Sequence, residues 1–261
     1  MEKLLRMKLS SVDNIYIKGG RAHFNGVSIQ SNIGFSRVSF DKKNEQFIIK
    51  SGRYIKSDTK ISKIINFISK IPFLRSFVLF YNLIKNNKKM VLKIVAIYIV
   101  LLFLLFSFDN ETLNSVDNFL ENGNLSYFVI MLVLSVVIKI TSISNYHGAE
   151  HMVINYYNKN KNLEFNNLES VTRVSNSCGS VLILITFFFF YAFNLFSSYV
   201  DLNFLISYMI AYEVFISKNK LFKPIFYMSG VIQKYILTSK PSEIQLRLAK
   251  VALKNAVNKS N

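Results

Sequence analysis

The sequence predicts a mainly α-helical membrane protein. It should hold about four transmembrane helices, a small cytoplasmic N-terminal β unit and amphipathic interfacial helices. Three observations carry that expectation. The chain is 51% hydrophobic, with long Phe-, Ile- and Leu-rich runs, yet its formal net charge is +17. All 32 lysines and arginines fall in residues 1–93, 139–180 and 218–261, and the connections at 109–124 and 197–203 carry none. Residues 12–56, by contrast, alternate and are rich in β-formers. An apolar and strongly basic chain points to anionic lipid headgroups as partners. Nucleic acid, the other common partner of a basic chain, leaves the apolar runs unexplained.

The elements follow in order. The N-terminus "MEKLLRMKLSSVDN" lacks the continuous apolar region of a signal peptide. In residues 1–58, "IYIKGG", "IGFSRVSF" and "EQFIIKSGRYI" read as strands, with "DKKN", Asp41 to Asn44, as a turn. Gly19, Gly20 and Gly26 are expected at turns. Their spacing is not that of a dinucleotide loop. Residues 59–89 then show apolar positions at helical spacing, Ile61, Ile64, Ile65 and Ile68, with Lys60, Lys63 and Lys70 elsewhere. Pro72 should bend or end this helix. Such a segment lies flat on anionic lipid or packs as a linker helix on protein.

Residues 90–217 supply the expected spans, each needing about 20 apolar residues. They are Met90–Phe108, Leu125 to about Ile143, and two crossings within Val181–Ser217, turned at Ser197–Asn203. Loop 144–180 and the helical tail 218–261 complete the chain. With four crossings every basic segment lies on one side, so both termini are expected in the cytoplasm of a multi-pass cell-membrane protein.

Chemistry concentrates in "ISNYHGAEHMVINYY", which holds two of the chain's three histidines. His147 and His151 are four apart and share a helix face, with Glu150 beside them. This order, H-x-x-E-H, is that of an inverted zinc-hydrolase signature whose Glu is the general base. Zinc takes more ligands than two, and Cys178 in "SNSCGSVL" is the candidate third. Two His and one Cys suit Zn2+, while carboxylate participation would admit another divalent metal. Cys178 is the single cysteine, so no intrachain disulfide can form. Glu213 is an acid within an apolar segment and a candidate further ligand or imidazole acceptor. Arg75 and Arg21 could pair with such acids or with a phosphorylated substrate.

The chain also resembles a known family. It is similar to the YqhQ-like bacterial membrane proteins, described as predicted metal-dependent enzymes without established activity. The similarity is carried by "YHGAEH", Tyr146 to His151. It continues in "GGRAHFNGV", "IPFLRS", "CGS", "YE" at Tyr212 and Glu213, and the C-terminal "IQKYILTSKPSEIQLRLAKVALKNAV". The resemblance places His147, Glu150, His151, Cys178, Gly19, Gly20, Arg75 and Glu213 on family motif positions. It fails where the family has His-Pro-Arg before the cysteine, since Ser175, Asn176 and Ser177 stand here. It fails again at Arg21 and Asn25, where the family has Gln and Glu; His23, which stands where the family has an aliphatic residue, is the candidate substitute for one of them. The first functional expectation is a metal-dependent hydrolase at the cytoplasmic membrane interface. The second is a non-enzymatic protein that binds or assembles another membrane protein or its own copies, with a structural or lost metal site. A transporter is disfavoured by the lack of an inverted repeat.

Overall fold

The computed structural model describes residues 15–54, 59–86, 92, 96 and 123–258. They form two compact units. One joins Met1–Lys56, Leu134–Ser180 and Phe226–Asn261; the other joins Ser57–Val133 and Val181–Ile225.

The first unit is built on a four-stranded antiparallel meander, β1 (Ile17–His23), β2 (Gly26–Ser31), β3 (Gly34–Asp41) and β4 (Gln46–Arg53), in the order β1-β2-β3-β4. The alternation read in the sequence is the physical reason. In β3, Gly34, Ser36 and Val38 turn inward while Phe35 and Arg37 turn outward. The Asp41–Asn44 turn forms as expected, with the Asp41 carboxylate accepting from the Lys43 N–H and the Asn44 amide. Gly19 and Gly20 correct their expectation. Both lie within β1, beside a register irregularity between Ile17 and Gly19, while Gly26 opens β2 after the tight Phe24–Asn25 turn.

One face of the sheet is covered by two helices, α4 (Ile143–Asn160) and α8 (Glu243–Val257). Val27, Ile29 and Val38 meet Ala149, Met152 and Val153 from α4 and Leu248, Ala249, Ala252, Leu253 and Ala256 from α8. The apolar positions of α8 recur at helical spacing, and a capping box between Ser242 and Gln245 satisfies its first donors. Ser31 fixes the far end by donating its hydroxyl to the Ala256 carbonyl at 2.6 Å.

The second unit contains α1 (Lys60–Ile68), α2 (Arg75–Asn86) and α6 (Val200–Ser217), together with most of α5 (Gly179–Asn194) and the first part of α3 (Gly123–Ile140). Here the four-span expectation is corrected. Among the described residues one helix, α6, is long and apolar enough to cross a membrane. Met90–Phe108 lies outside the described residues. The second expected span meets a helix end at Ile140, and its described apolar part, Met131–Ile140, is short. The third is the 16-residue α5, because the apolar tract from Val181 breaks before Tyr199. Hydropathy counts apolar letters, but crossing needs an unbroken helix of sufficient rise. The multi-pass placement with both termini cytoplasmic required an even number of crossings, and it falls with the count. Helix α6 has only 22% of its apolar window buried, unlike the core helix of a globular unit.

Candidate metal centre

Helix α4 projects His147 and His151 from one face, as their spacing requires. Cys178 precedes α5 directly, and its loop folds back over α4 within the first unit. One donor atom from each of the three residues lies within 4.8 Å of the others. The Cys178 Sγ is 3.4 Å from the His147 Nε2 and accepts the Ser180 hydroxyl at 3.2 Å.

The backbone selects which imidazole nitrogens face the cluster. His147 Nδ1 is 3.1 Å from the Leu237 carbonyl, and His151 Nδ1 is 2.5 Å from the Arg173 carbonyl. A carbonyl only accepts, so each Nδ1 carries a proton, and in the neutral imidazole each Nε2 then keeps its lone pair. This is how proteins orient histidines that bind metals. The cluster of His147, His151 and Cys178 is able to coordinate a divalent metal ion.

The supports of this arrangement are local. Leu237 ends a π-helical turn, Gln233–Leu237, that continues α7 (Lys223–Ile232). The segment after it runs along α4: Ser239 donates its N–H to the Ser144 carbonyl, and Asn145 donates to the Lys240 carbonyl. Gly148 makes this approach possible, because a Cβ there would overlap the Ser239 carbonyl. The loop bearing Cys178 is held by two amides. Asn155 donates to the carbonyls of Thr172 and Val174 at 2.9 and 2.8 Å. Gln233, fully buried, accepts the Ser175 N–H at 2.8 Å and donates to the Ser229 hydroxyl. The sequence reading missed both residues. Asn155 had a visible signal, since it continues the i, i+4 stripe of His147 and His151. Gln233 had none beyond being polar within an apolar helix.

Glu150 is 5% exposed, and burial pushes its carboxyl up to about 7, against the pull of His147. No hydrogen bond to its carboxylate is formed among the described residues. The carboxylate packs on the backbone of Gly20, where any Cβ would overlap it. Gly20 is thus a close-approach glycine serving the site from β1.

The remaining candidates lie elsewhere. His23 bonds the Ser28 hydroxyl at 2.7 Å and does not join the cluster. Its burial, with Arg37 and Arg21 nearby, lowers its pKa to about 4. Arg21 faces Ser28 in the β1–β2 register. Glu213 accepts from Arg75 through both carboxylate oxygens and from the Phe73 N–H at 2.8 Å, all within the second unit. These bonds, not an imidazole, occupy Glu213.

No curated protein and no solved structure matches this chain. A family model does, over residues 82–259, a stretch that holds His147, Glu150, His151, Cys178 and Gln233. The chain belongs to the family described as a protein of unknown function, DUF1385.

Proposed function

We propose that this chain is a metal-dependent hydrolase whose ion, zinc, is held by His147, His151 and Cys178. The observation that carries the reading is the anchoring of both Nδ1 atoms on backbone carbonyls, which leaves an Nε2 on each imidazole for an ion, with the His147 Nε2 lying 3.4 Å from the Cys178 sulfur. Two imidazoles and a thiolate suit zinc among the common divalent ions. Zinc held there supplies Lewis acidity and makes water a better nucleophile near neutral pH.

The chain's own groups supply the proton handling. Glu150 is one turn from His147, and a carboxyl with a pKa near 7 accepts and returns a proton at neutral pH. Its burial against Gly20 keeps bulk water from competing for that proton. The similarity to YqhQ-like proteins supports the same assignment. The net charge of +17 suits an anionic substrate or anionic lipid headgroups as the setting of the reaction.

The burial of His151 and Glu150, 3% and 5% exposed, favours a second reading. In it the ion only braces α4 against the Cys178 loop, and the protein binds another membrane protein or its own copies. Metal content by mass spectrometry, on full-length protein purified without chelator, tests the shared premise. About one zinc per chain is expected, lost in His147→Ala and in Cys178→Ala. Metal-free, folded wild-type protein would overturn both readings. A Glu150→Gln variant that keeps zinc but loses ester or phosphoester hydrolysis separates the first reading from the second.

A further inference from the structure

We infer that α1 and the Pro72–Phe73–Leu74 knuckle form an anchor lying in the interface of an anionic phospholipid bilayer. The inference concerns the second unit alone and stands whether or not the metal centre is catalytic.

The helix carries an uncovered apolar ridge. Ile61, Ile64 and Phe67 recur every three residues, and all are exposed, Phe67 by 67%. Such a ridge in water forfeits the burial that ordinarily accompanies helix formation. Asn66 is exposed on the opposite face and exposed Lys70 follows just after the helix, so the element is apolar on one side and polar on the other. Thr59 caps the start, accepting the Ser62 N–H. The element is therefore a defined helix rather than a frayed linker.

The knuckle adds a second observation. Phe73 has φ of 66°, a left-handed conformation that is costly for an aromatic residue. It persists because its N–H is held by Glu213 while Arg75, two residues on, pairs with the same carboxylate. Ser76 adds its carbonyl as acceptor for the Tyr208 hydroxyl. These bonds fix a strained turn whose product is an outward-facing pair, Phe73 (47% exposed) and Leu74. Strain maintained by three side chains to expose two apolar ones marks a contact surface.

The occupant follows from where the turn is held. Glu213 lies in the last turns of α6, the one described helix able to cross a membrane. The clamp therefore sets Phe73, Leu74 and the start of α2 at one end of that helix. The end of a crossing helix is the headgroup region, where exposed aromatics and lysine side chains are stabilised together. The sequences of α1 and α2 contain lysines and an arginine and no acidic residue, and Lys70 is exposed between them, so the charge of this surface suits anionic headgroups.

The chain contains no Trp, so a single introduced indole reports its own depth. The full-length protein is reconstituted in vesicles of phosphatidylglycerol and phosphatidylcholine, with lipid brominated either near the headgroup end or near the methyl end of its acyl chains. Ile64→Trp and Phe73→Trp should be quenched at least about twofold more by the shallow bromines than the polar-face control Asn66→Trp. Adding Glu213→Gln should lower quenching of the Phe73→Trp indole and leave the Ile64→Trp indole in contact with lipid. Equal quenching of all three indoles by deep bromines would mean a crossing helix and overturn the proposal. Quenching of none, with iodide reaching all three, would mean a solvent-facing linker. Protection of Ile64→Trp from both bromine and iodide, with cross-linking between copies, would replace lipid by a second chain.

Discussion

Each unit contains a group of polar side chains within apolar surroundings, and the two groups are opposites. In the second unit Arg75, Glu213 and the Phe73 N–H consume one another's hydrogen-bonding capacity. In the first, the histidine Nδ1 atoms are spent on carbonyls while the His147 Nε2 meets only the soft Cys178 sulfur at 3.4 Å, and the buried Glu150 carboxyl lies against Gly20. A satisfied cluster stabilises a turn. An incompletely satisfied one costs stability and awaits a ligand. The comparison teaches that a polar residue flagged in a sequence becomes a site only where its lone pairs are left over.

The sharpest way to break the comparison is to remove one charge from each cluster and read the sign. Glu150 has a folded-state pKa of about 7 against an ordinary value of 4.5, because burial disfavours its charge. The native state then holds more protons than the unfolded state between these values. Stability falls as pH rises from about 4.5 to about 7 and stays lowered above it. In metal-free protein, Glu150→Gln should therefore stabilise by about 3 kcal/mol at pH 8 and change little at pH 4. Urea unfolding at the two pH values measures this. Zinc should shrink the gain, since a nearby divalent cation favours the carboxylate. A destabilised Glu150→Gln at pH 8 would mean that the carboxylate is a paired structural group.

The second unit should answer with the opposite sign. Arg75→Ala strips Glu213 of its charge partner and frees the left-handed Phe73 turn. The ion pair is partly exposed, with side-chain exposures of 28% and 19%, which reduces what it contributes. A loss of about 1–2 kcal/mol is expected in thermal unfolding of the detergent-solubilised chain. Metal content should not change. Loss of zinc in Arg75→Ala would show that the two clusters are coupled and that treating them separately is wrong.

What the sequence made legible follows the same divide. His147, His151 and Cys178 were readable because donor chemistry is rare and its helical spacing is fixed by geometry. The alternation of β3 and the helical stripe of α8 were readable because burial imposes their periods. Gly20 was misread, since a glycine at a turn and a glycine beneath a carboxylate look alike in one dimension. The count of four spans failed because apolar runs do not reveal where a helix breaks, as at Ile140 and before Tyr199, whereas the last expected crossing coincides with α6. Nor could the sequence reveal that the first unit draws on three separate segments. That discontinuity is why two groups orienting the cluster, Leu237 and Gln233, were invisible, while Arg173 lies in the same segment as His151 but acts through its backbone. Leu237 and Gln233 act through contacts at large sequence separation, and Leu237 and Arg173 use backbone carbonyls that every residue possesses.

Gln233 gives the finest test, because it is a satisfied residue in the service of an unsatisfied site. Its carboxamide oxygen takes the Ser175 N–H, three residues before Cys178, and its amide donates to Ser229. Gln233→Ala takes a partner from buried Ser229 and from the half-buried Ser175 N–H, and lets the cysteine loop move from the imidazoles. Groups that orient metal ligands are worth about 10- to 100-fold in affinity, and a value near tenfold is expected because Asn155 still pins the loop. Cobalt substitution gives a readout that mere loss of stability would not move, the thiolate-to-metal absorption of Cys178. It should weaken in Gln233→Ala and recover in Gln233→Glu, which keeps the acceptor for Ser175. Unchanged cobalt affinity and thiolate absorption in a destabilised Gln233→Ala would assign the residue to the fold alone. Positioning of Cys178 would then rest on Asn155 and the His151–Arg173 bond, both on the α4 side of the loop.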